Sequence, residues 1–448
     1  MNGSAPEPLS VDDAQILRLE SAAIKGHTGK LLVLAPGADG AALDPAALRD
    51  RVNERIASFP RLGQRVELPR HGQPSWVEAE PDLGWHVAGA GGDAPLDEEG
   101  FRLAAGEILA QRLDHERPLW RLDVLALEDG RTGIVGRIHH AIADGVTAIR
   151  IAAGLLWDLP ERPPGRSLPE RRAKPEATYA GRPPVAAIDG EAKDELPPEH
   201  REPPLLVRLP GALRRELRPG ADTPLDQHIG SEREIAWTVV PLARLKRIGR
   251  AAGEGFTVND VVLAVVAGGL RQWLEGAGSR PASLRAQVPV CLHLREGGTD
   301  VSNRDSFLNV DLPLDEPDPV ERLRAINAET REAKLDHDAD TLYFFFHALG
   351  RFRPLYDGVT RIISGPREFA LSVSNVPGPR ERPLILGHEV HEFCSFAEPA
   401  DRHALRVAVI SLGGDLAFGL CSDPEAIGEL NHLAEALEAS VAELEVAS

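Results

Sequence analysis

The apolar positions on either side of residue 140 change from the period of a strand to the period of a helix. The alternating run Thr132 to Ile138 predicts a buried strand, and the apolar residues from Val146 to Trp157 recur at helical spacing. The turn between them reads Ile138-His139-His140-Ala141-Ile142-Ala143-Asp144-Gly145. Successive side chains of a strand point to opposite faces, so we expect His139 and His140 to lie in different environments. One ring can then face a cleft while the other packs.

The same two periods predict alternating helices and strands in both halves of the chain. Helices are expected at Asp44 to Phe59, Gly100 to Leu113, Leu242 to Ala252, Val261 to Leu274, Val320 to Leu335 and Pro424 to Glu445. Strands are expected at Leu31 to Leu34, Pro74 to Glu78, Leu119 to Leu127, Arg233 to Val240, Leu284 to Leu292, Ser306 to Leu312, Phe369 to Ser374, Ala404 to Leu412 and Leu416 to Cys421. The aromatic run Tyr343 to Phe346 is expected to be core.

A stretch rich in proline and charge separates the halves. Its composition cannot bury enough apolar surface to fold compactly, so it predicts a long crossover linker. We therefore divide the chain into an N-terminal domain at 1–158, a linker at 159–231 and a C-terminal domain at 232–448.

One predicted helix, Val261 to Leu274, is apolar all round and must be buried. Thr257 can cap it with Asp260 reaching back, so one interpretation of the pair Asn259-Asp260 is helix capping. Because the pair opens a buried helix, it also suits holding a loop or a neighbouring strand in place.

The excess of acidic residues limits the classes of partner that the protein is expected to bind. The 448 residues include 50 Lys and Arg against 69 Asp and Glu, a net charge of -19, which disfavours binding to nucleic acid or to an anionic membrane surface. The three cysteines form no CxxC pair, which fits a reducing compartment. No secretory signal and no run of ~20 apolar residues is visible. We expect a cytoplasmic protein with at most peripheral contact with a membrane.

The two histidines, Asp144 and Gly145 allow three interpretations. A metal site would need further ligands, and no compact His, Cys, Asp and Glu cluster elsewhere in the sequence offers them. In a structural interpretation His140 is a hydrogen-bonded histidine, Asp144 caps the following helix and Gly145 takes a backbone angle that other residues resist. In a catalytic interpretation His140 is a general base, because an imidazole with a pKa near ~6.5 can take and return a proton at neutral pH. The motif alone does not decide between them.

Several common chemistries have no motif in the sequence. There is no GxSxG, no GxxxxGK followed by Ser or Thr, and no GxGxxG after a strand. What remains is a reaction that a histidine can perform without a cofactor, such as acyl transfer from an activated thioester.

The motifs in their order resemble those of the bacterial wax ester synthase/diacylglycerol acyltransferases over nearly the whole chain. The matching pieces are HHxxxDG at His139 to Gly145, PLW at Pro118-Leu119-Trp120, ND at Asn259-Asp260 and the late turn Ser374-Asn375-Val376-Pro377-Gly378-Pro379. The chain departs from the family at Ile24-Lys25-Gly26-His27-Thr28, where an apolar Pro-Met-His-Val type of sequence is expected.

The resemblance implies an α/β fold of the α+β type, with two similar chloramphenicol-acetyltransferase-like domains, mixed sheets and a tunnel between them. His140 would be the general base there, and acyl-CoA would be a co-substrate rather than a cofactor. The acceptor would be a hydroxyl-bearing lipid, either diacylglycerol or a long-chain alcohol, met at a membrane or lipid droplet. Asp144 would anchor the turn.

The remaining motif residues receive supporting roles from the same resemblance. His139 and Gly145 accompany the base, and Asn259 and Asp260 would support the site from the second half. Ser374 and Asn375 would lie beside the CoA arm, and Trp120 would support the site or the bound substrate. No metal is expected.

Two other functions stay open. The first is a condensation-type or specialised-metabolite acyltransferase that takes its acyl group from a carrier-protein thioester. The second is a non-catalytic lipid-binding protein on the same scaffold.

Overall fold

The fold is described by a computed structural model for residues 6–69, 72–92, 94–158, 223–279, 282–291, 305–335 and 369–448. Residues 159–222 of the predicted linker and the aromatic run Tyr343 to Phe346 lie outside these ranges. Linker residues 223–231 are described, and Leu225 and Ile229 among them pack into the core of the second half.

The elements alternate along the chain as the apolar pattern predicts. The helices are α1 (Val11–Leu19), α2 (Pro45–Arg55), α3 (Leu83–His86), α4 (Glu98–Ala110), α5 (Gly145–Leu156), α6 (Leu242–Ala252), α7 (Val258–Gly276), α8 (Pro319–Leu335) and α9 (Leu430–Ala447). The strands are β1 (Glu7–Pro8), β2 (His27–Leu34), β3 (Gln64–Glu67), β4 (Ser75–Glu78), β5 (Val87–Ala90), β6 (Trp120–Ala126), β7 (Thr132–His139), β8 (Glu234–Pro241), β9 (Leu284–Cys291), β10 (Asp305–Leu312), β11 (Leu371–Val376), β12 (Leu384–Ile385), β13 (His388–Phe396), β14 (Leu405–Leu412) and β15 (Asp415–Ser422).

Two six-stranded mixed sheets form the frame. The first has the order β12-β13-β2-β7-β6-β5 and the second has the order β10-β9-β11-β14-β15-β8. The first is antiparallel except for β5 and β6, whereas in the second β11 runs parallel to both of its neighbours. A small sheet of β1, β4 and β3 lies apart from them. The predicted mixed α/β fold in two parts is therefore confirmed.

Strand β13 joins the two halves. It comes from the C-terminal part of the chain, yet it pairs antiparallel with β2 in the first sheet, where Ser395 lies opposite Lys30. It also crosses the second sheet closely, because a Cβ on Gly419 would come within 2.1 Å of the Ser395 carbonyl oxygen. The boundaries 1–158 and 232–448 stay a prediction, but sheet hydrogen bonding runs across them.

Helix α7 fills the centre of the second half. Residues 261–267 have no exposed surface, which agrees with a helix that is apolar all round. The predicted capping box is present: the Thr257 hydroxyl accepts the Asp260 N–H, and the Asp260 carboxylate accepts the Thr257 N–H. Two glycines bring α9 close, since a Cβ on Gly268 would meet the Ser440 hydroxyl and one on Gly269 the backbone of Leu437.

Several elements differ from those that the sequence predicts. Strand β2 starts at His27 rather than at Leu31, and the last helix begins at Leu430 rather than at Pro424. The later start of α9 follows from Glu429, whose φ of 60° is left-handed and incompatible with a continuous helix. Strand β13 is absent from the sequence-based expectations, because its partner β2 is more than three hundred residues away and its own pattern mixes polar and apolar positions.

The close approach of α7 and α9 predicts different effects for two Gly→Ala substitutions in one helix. Gly269→Ala should lower the free energy of unfolding by about 1–3 kcal/mol, since the new methyl group meets Leu437 side-chain and backbone atoms. Gly276→Ala is the control, because a Cβ there meets nothing within 4 Å, and it should be neutral or stabilising by up to ~1 kcal/mol. Thermal unfolding of both variants measures the difference. Equal unfolding temperatures would contradict this account of the packing.

Candidate active site

The histidine turn is anchored by its backbone at the end of β7. The His139 N–H donates to the Leu119 carbonyl at 3.0 Å, and the Ile142 and Ala143 N–H groups donate to the His139 carbonyl at 2.9 and 3.3 Å. Helix α5 then begins at Gly145. The turn is thus held to β6 on one side and to α5 on the other.

Both nitrogens of the His139 ring make structural hydrogen bonds. It has no exposed surface. Its Nδ1 accepts the Ala141 N–H at 3.1 Å, and its Nε2 lies 2.7 Å from the Glu20 carboxylate. Because a backbone N–H can only donate, the proton of the neutral ring is on Nε2 and is donated to Glu20. Both nitrogens are therefore occupied, and His139 cannot exchange a proton with a substrate without losing one of these bonds.

Glu20 is a site residue that the sequence does not reveal. Its carboxylate is buried and also pairs with Arg112 and with His115, whose Nε2 is 3.0 Å away. Burial alone would raise the pKa of Glu20, but the hydrogen bonds of His115 and His139 lower it to about 2. It is an isolated acid just after α1, and no spacing relates it to the HHxxxDG motif. Only the tertiary fold brings it there.

The His140 ring, unlike the His139 ring, has no structural hydrogen bond in the described part of the chain. Its backbone N–H donates to the Gly26 carbonyl at 2.9 Å, but within the described part of the chain neither ring nitrogen has a hydrogen-bond partner. The residue keeps some accessible surface, unlike His139. Burial lowers the pKa of His140 to about 4, and the nearby charges of Lys30 and Arg406 add to this effect, whereas Asp144 opposes it. At neutral pH the ring is an uncommitted, unprotonated imidazole.

A loop from β2 supports both histidines. Gly26 has a φ of +76°, and a Cβ there would lie 2.3 Å from the His139 Nε2, so only glycine fits this approach. The Gly26 and Lys25 N–H groups donate to the two oxygens of Glu398, which Arg233 pairs at 2.9 Å. Burial raises the pKa of Glu398, and these donors oppose that effect. Glu398 is a second residue that no sequence motif predicts.

Asp144 and Gly145 have structural positions in the turn. The Asp144 carboxylate caps α5 by accepting the Thr147 N–H at 2.6 Å. Among the described residues it makes no hydrogen bond to the His140 ring, which agrees with the expected role of turn anchor. The expectation that Gly145 needs an unusual backbone angle is wrong, since its φ is not positive. A Cβ there would come to 3.4 Å from the Val376 side chain, an ordinary contact distance, so neither backbone angle nor space requires glycine at this position.

The late motif lies at the junction of the halves. Ser374 and Asn375 are in β11, paired with Ala408 and Val409 of β14, and both are partly exposed. Val376 packs against the core of the first half, next to Gly145. The structure therefore brings the end of β11 to the start of α5, and Ser374 shares the Val376 face of the strand while Asn375 points to the other face.

The ND motif lies elsewhere. Asp260 has 1% exposed surface and, besides capping α7, accepts the Thr330 hydroxyl at 2.6 Å and the Asn327 amide at 2.9 Å. These contacts tie α7 to α8 within the second half. Asn259 is partly exposed one position earlier. In the described ranges no hydrogen bond links either residue to the histidine turn, so their support of the site stays a prediction.

Trp120 is a packing residue behind the turn. It has 3% exposed surface, its indole N–H donates to the Leu62 carbonyl at 2.9 Å, and its ring stacks on His86 with centroids 4.2 Å apart. It lies opposite Ile138 in the β6–β7 ladder. Trp120 thus fixes the strand from which the histidines project.

Two other kinds of feature are absent from the described ranges. No group of three or more His, Cys, Asp and Glu side chains there could hold a metal ion. No helix in those ranges has both the length and the apolar character needed to cross a bilayer.

Comparison with known proteins agrees with the geometry. Residues 9–262 match the model of the wax ester synthase/diacylglycerol acyltransferase catalytic domain, and residues 301–445 match that of the WS/DGAT C-terminal domain. A protein of Mycobacterium tuberculosis (strain H37Rv), named a probable diacylglycerol O-acyltransferase, is 28% identical over 455 residues, which cover 97% of this chain and 95% of that protein. The two-sheet fold with its histidine turn is that of an acyltransferase. The chain belongs to the wax ester synthase/diacylglycerol acyltransferase family.

Solved structures show the same architecture. The wax ester synthase/diacylglycerol acyltransferase of Marinobacter aquaeolei VT8 superposes with a TM-score of 0.71 and 25% identity, covering 98% of this chain and 99% of that one. The first condensation domain of the calcium-dependent antibiotic synthetase gives a TM-score of 0.57 at 15% identity, over 99% of this chain and 96% of that one. The second likeness concerns the fold alone.

The buried Glu20 cluster predicts a pH-dependent loss of stability. Glu20→Gln should lower the free energy of unfolding by about 2–4 kcal/mol at neutral pH, because Arg112, His115 and His139 lose their carboxylate. The lowered pKa means that this contribution is present above the ordinary value of 4.5 and is lost as the pH falls toward about 2. Denaturant unfolding measured from neutral pH downward should show the two proteins converging.

The control is Glu116→Gln, which removes an exposed carboxylate from the same region. It should leave the free energy of unfolding within about 0.5 kcal/mol of the wild type. A Glu20 variant that matches this control at neutral pH would show that the cluster does not stabilise the turn.

Proposed function

We propose that the chain transfers a fatty acyl group from acyl-CoA to the hydroxyl of a lipid acceptor, diacylglycerol or a long-chain alcohol, with His140 as the general base. The observation that carries this proposal is the contrast between the two histidines. His139 uses both ring nitrogens in structural bonds, whereas the His140 nitrogens are uncommitted in the described structure and the residue stays partly accessible. Such a pair presents one imidazole in a fixed orientation to a substrate.

The protonation state of His140 suits a base. A pKa lowered to about 4 leaves the ring unprotonated at neutral pH, ready to accept the acceptor's hydroxyl proton. The acceptor oxygen then attacks the thioester carbonyl, and a tetrahedral oxyanion forms. When the C–S bond breaks, the proton on the ring goes to the CoA sulfur, so the ring returns to its starting state. No cofactor beyond the co-substrate acyl-CoA takes part in this sequence.

Other residues act through the orientation of His140. The Gly26 carbonyl holds its backbone N–H, and Asp144 fixes the following helix. Orienting two bound substrates beside a fixed base supplies much of the rate, because it removes translational and rotational entropy before the reaction. The predicted tunnel between the halves would provide that alignment, with Ser374 and Asn375 near the CoA arm.

The acceptor class comes from the relatives. The mycobacterial relative is named for diacylglycerol, and the Marinobacter protein is named for both wax esters and diacylglycerol. Both acceptors dissolve in membranes or lipid inclusions, so we propose that the protein works in peripheral contact with such surfaces inside the cell.

Replacing the base should abolish transfer. His140→Asn keeps a polar side chain of similar size but cannot take up the proton, so kcat should fall by about 10²–10⁴. The assay follows CoA thiol release from palmitoyl-CoA with diacylglycerol or hexadecanol, and circular dichroism checks the fold. The control is His432→Asn, whose ring is exposed on α9 and should leave turnover unchanged. Retained turnover in His140→Asn would exclude the ring as the base.

The pH profile provides a separate prediction. An ordinary histidine base, with a pKa near ~6.5, would lose about tenfold of kcat/KM by a pH of about 5.5. With the pKa of His140 lowered to about 4, the base form persists and kcat/KM should stay flat over that interval. The decrease in kcat/KM should occur at lower pH, where the His140 ring becomes protonated. A tenfold loss by a pH of about 5.5 in a protein that stays folded would contradict the lowered pKa.

A further inference from the structure

A buried lysine lies on the His140 side of the first sheet. Lys30 is in β2 opposite Gly136 of β7, and Thr28, two residues closer to the turn, lies opposite Ile138. Since side chains alternate along a strand, Thr28 and Lys30 share the face of Ile138 and not that of His139. Only 6% of Lys30 is exposed.

The Lys30 ammonium is held by hydroxyl groups. Its Nζ donates to the Ser395 Oγ at 2.6 Å and to the Thr28 Oγ1 at 3.2 Å. The bond to Thr28 directs the ammonium toward the end of the strand where the turn begins. In the described part of the chain no carboxylate forms an ion pair with Lys30. Its charge is therefore not cancelled by a direct partner.

Arg406 approaches from the second sheet. It lies in β14, its Nε donates to the Glu398 carbonyl at 3.2 Å, and its guanidinium is over the Phe369 ring at 5.8 Å from the centroid. Burial lowers the pKa of Arg406 to about 10, which leaves it charged at neutral pH. One cation from each sheet, Lys30 and Arg406, therefore lowers the pKa of His140 in addition to burial.

We propose that Lys30 is a positioning residue for the base: its ammonium, held by Ser395 and Thr28 on the His140 side of β2, adds to burial in disfavouring protonation of the imidazole before a substrate brings negative charge to it. This inference rests on the proposed function, because it assigns the control of the base in acyl transfer. Lys30 acts through His140 and does not itself react.

The physical basis is charge repulsion in a poorly solvated site. A second positive charge on the imidazole costs more when a cation is already close. During acyl transfer the oxyanion that forms on the thioester carries a compensating negative charge, so the imidazolium becomes tolerable at that moment. Lys30 therefore disfavours protonation of the ring in the absence of substrate. It does not oppose the proton transfer that accompanies attack on the thioester, because the oxyanion forms at the same time.

Other charged groups also act on the protonation of the His140 ring. Arg406 on β14 acts in the same direction as Lys30, and Asp144 at the start of α5 acts against them. Asp144 also favours the charged form of Lys30, although burial lowers the pKa of Lys30 to about 8. Lys30 thus stays largely protonated at neutral pH, where the base must be free.

The test measures the titration of His140 directly. Protein labelled with ¹³C at the histidine Cε1 is titrated by NMR without substrate, and the His140 resonance is assigned by its absence in His140→Asn. In Lys30→Met the His140 pKa should rise by about one pH unit. Lys30→Arg keeps the charge and should stay near the wild type. When kcat/KM is measured with acyl-CoA and acceptor, the pH below which it falls should rise in Lys30→Met. It should not rise in Lys30→Arg.

Lys25→Met is the matched control. Lys25 is also a buried lysine, 5% exposed, but its Nζ donates to the Ala22 carbonyl and it is not among the charges that act on His140. Its removal should leave the His140 titration unmoved. If Lys30→Met does not fold, Lys30→Gln removes the same charge and retains a hydrogen-bonding side chain for Ser395.

The outcomes separate this inference from the proposed function. An unchanged His140 titration in a folded Lys30→Met or Lys30→Gln protein overturns the inference, as does an equal shift in Lys30→Arg. A shifted titration in a protein that shows no turnover with any acyl-CoA supports the coupling of Lys30 to His140 and removes only the acyl-transfer role.

Discussion

The hydrogen bond between His139 and Glu20 is the constraint on which the site depends. It removes the first histidine of the pair from chemistry and uses it to fix the backbone from which the second one projects. A buried carboxylate is costly unless it is fully paired, and Glu20 meets that condition through Arg112 and His115 as well as His139. Because His140 follows directly, the cluster also fixes the backbone position from which its ring projects. A catalytic group is positioned most accurately when its neighbours carry the structural bonds, and this turn has that arrangement.

Local sequence patterns were sufficient for the elements that carry the motifs. The strand before the histidines, the helix after them and the capping box at Thr257 and Asp260 were all predictable, because strand alternation, helical periodicity and N-capping act within a few residues. The partners of the turn were not. Glu20 is 119 residues from His139, and Glu398 is 372 residues from Gly26, so no pattern in a short window relates them. Strand β13 was missed for the same reason, since its place in the first sheet depends on pairing with a distant β2.

The structural interpretation of HHxxxDG holds for two of its residues, and the proposed catalytic role concerns a third. Asp144 is a helix cap, as the structural interpretation holds, and His139 is a satisfied core histidine. His140 alone has the features of a reactive group. A motif can therefore be mostly structural and still define a functional site, because a reactive side chain needs rigid neighbours. The same holds for Asp260, whose carboxylate accepts four hydrogen bonds that order the beginning of α7 and its contact with α8.

The departure from the family pattern near residue 26 follows from this packing. Where the resemblance leads one to expect an apolar residue, Gly26 comes so close to the His139 Nε2 that any side chain would displace either the ring or Glu20, whose Cγ would be 3.2 Å from a Cβ. The positive φ of Gly26 lets its carbonyl accept the His140 N–H while its own N–H reaches Glu398. Glycine at this position lets the loop before β2 close tightly on the histidine pair.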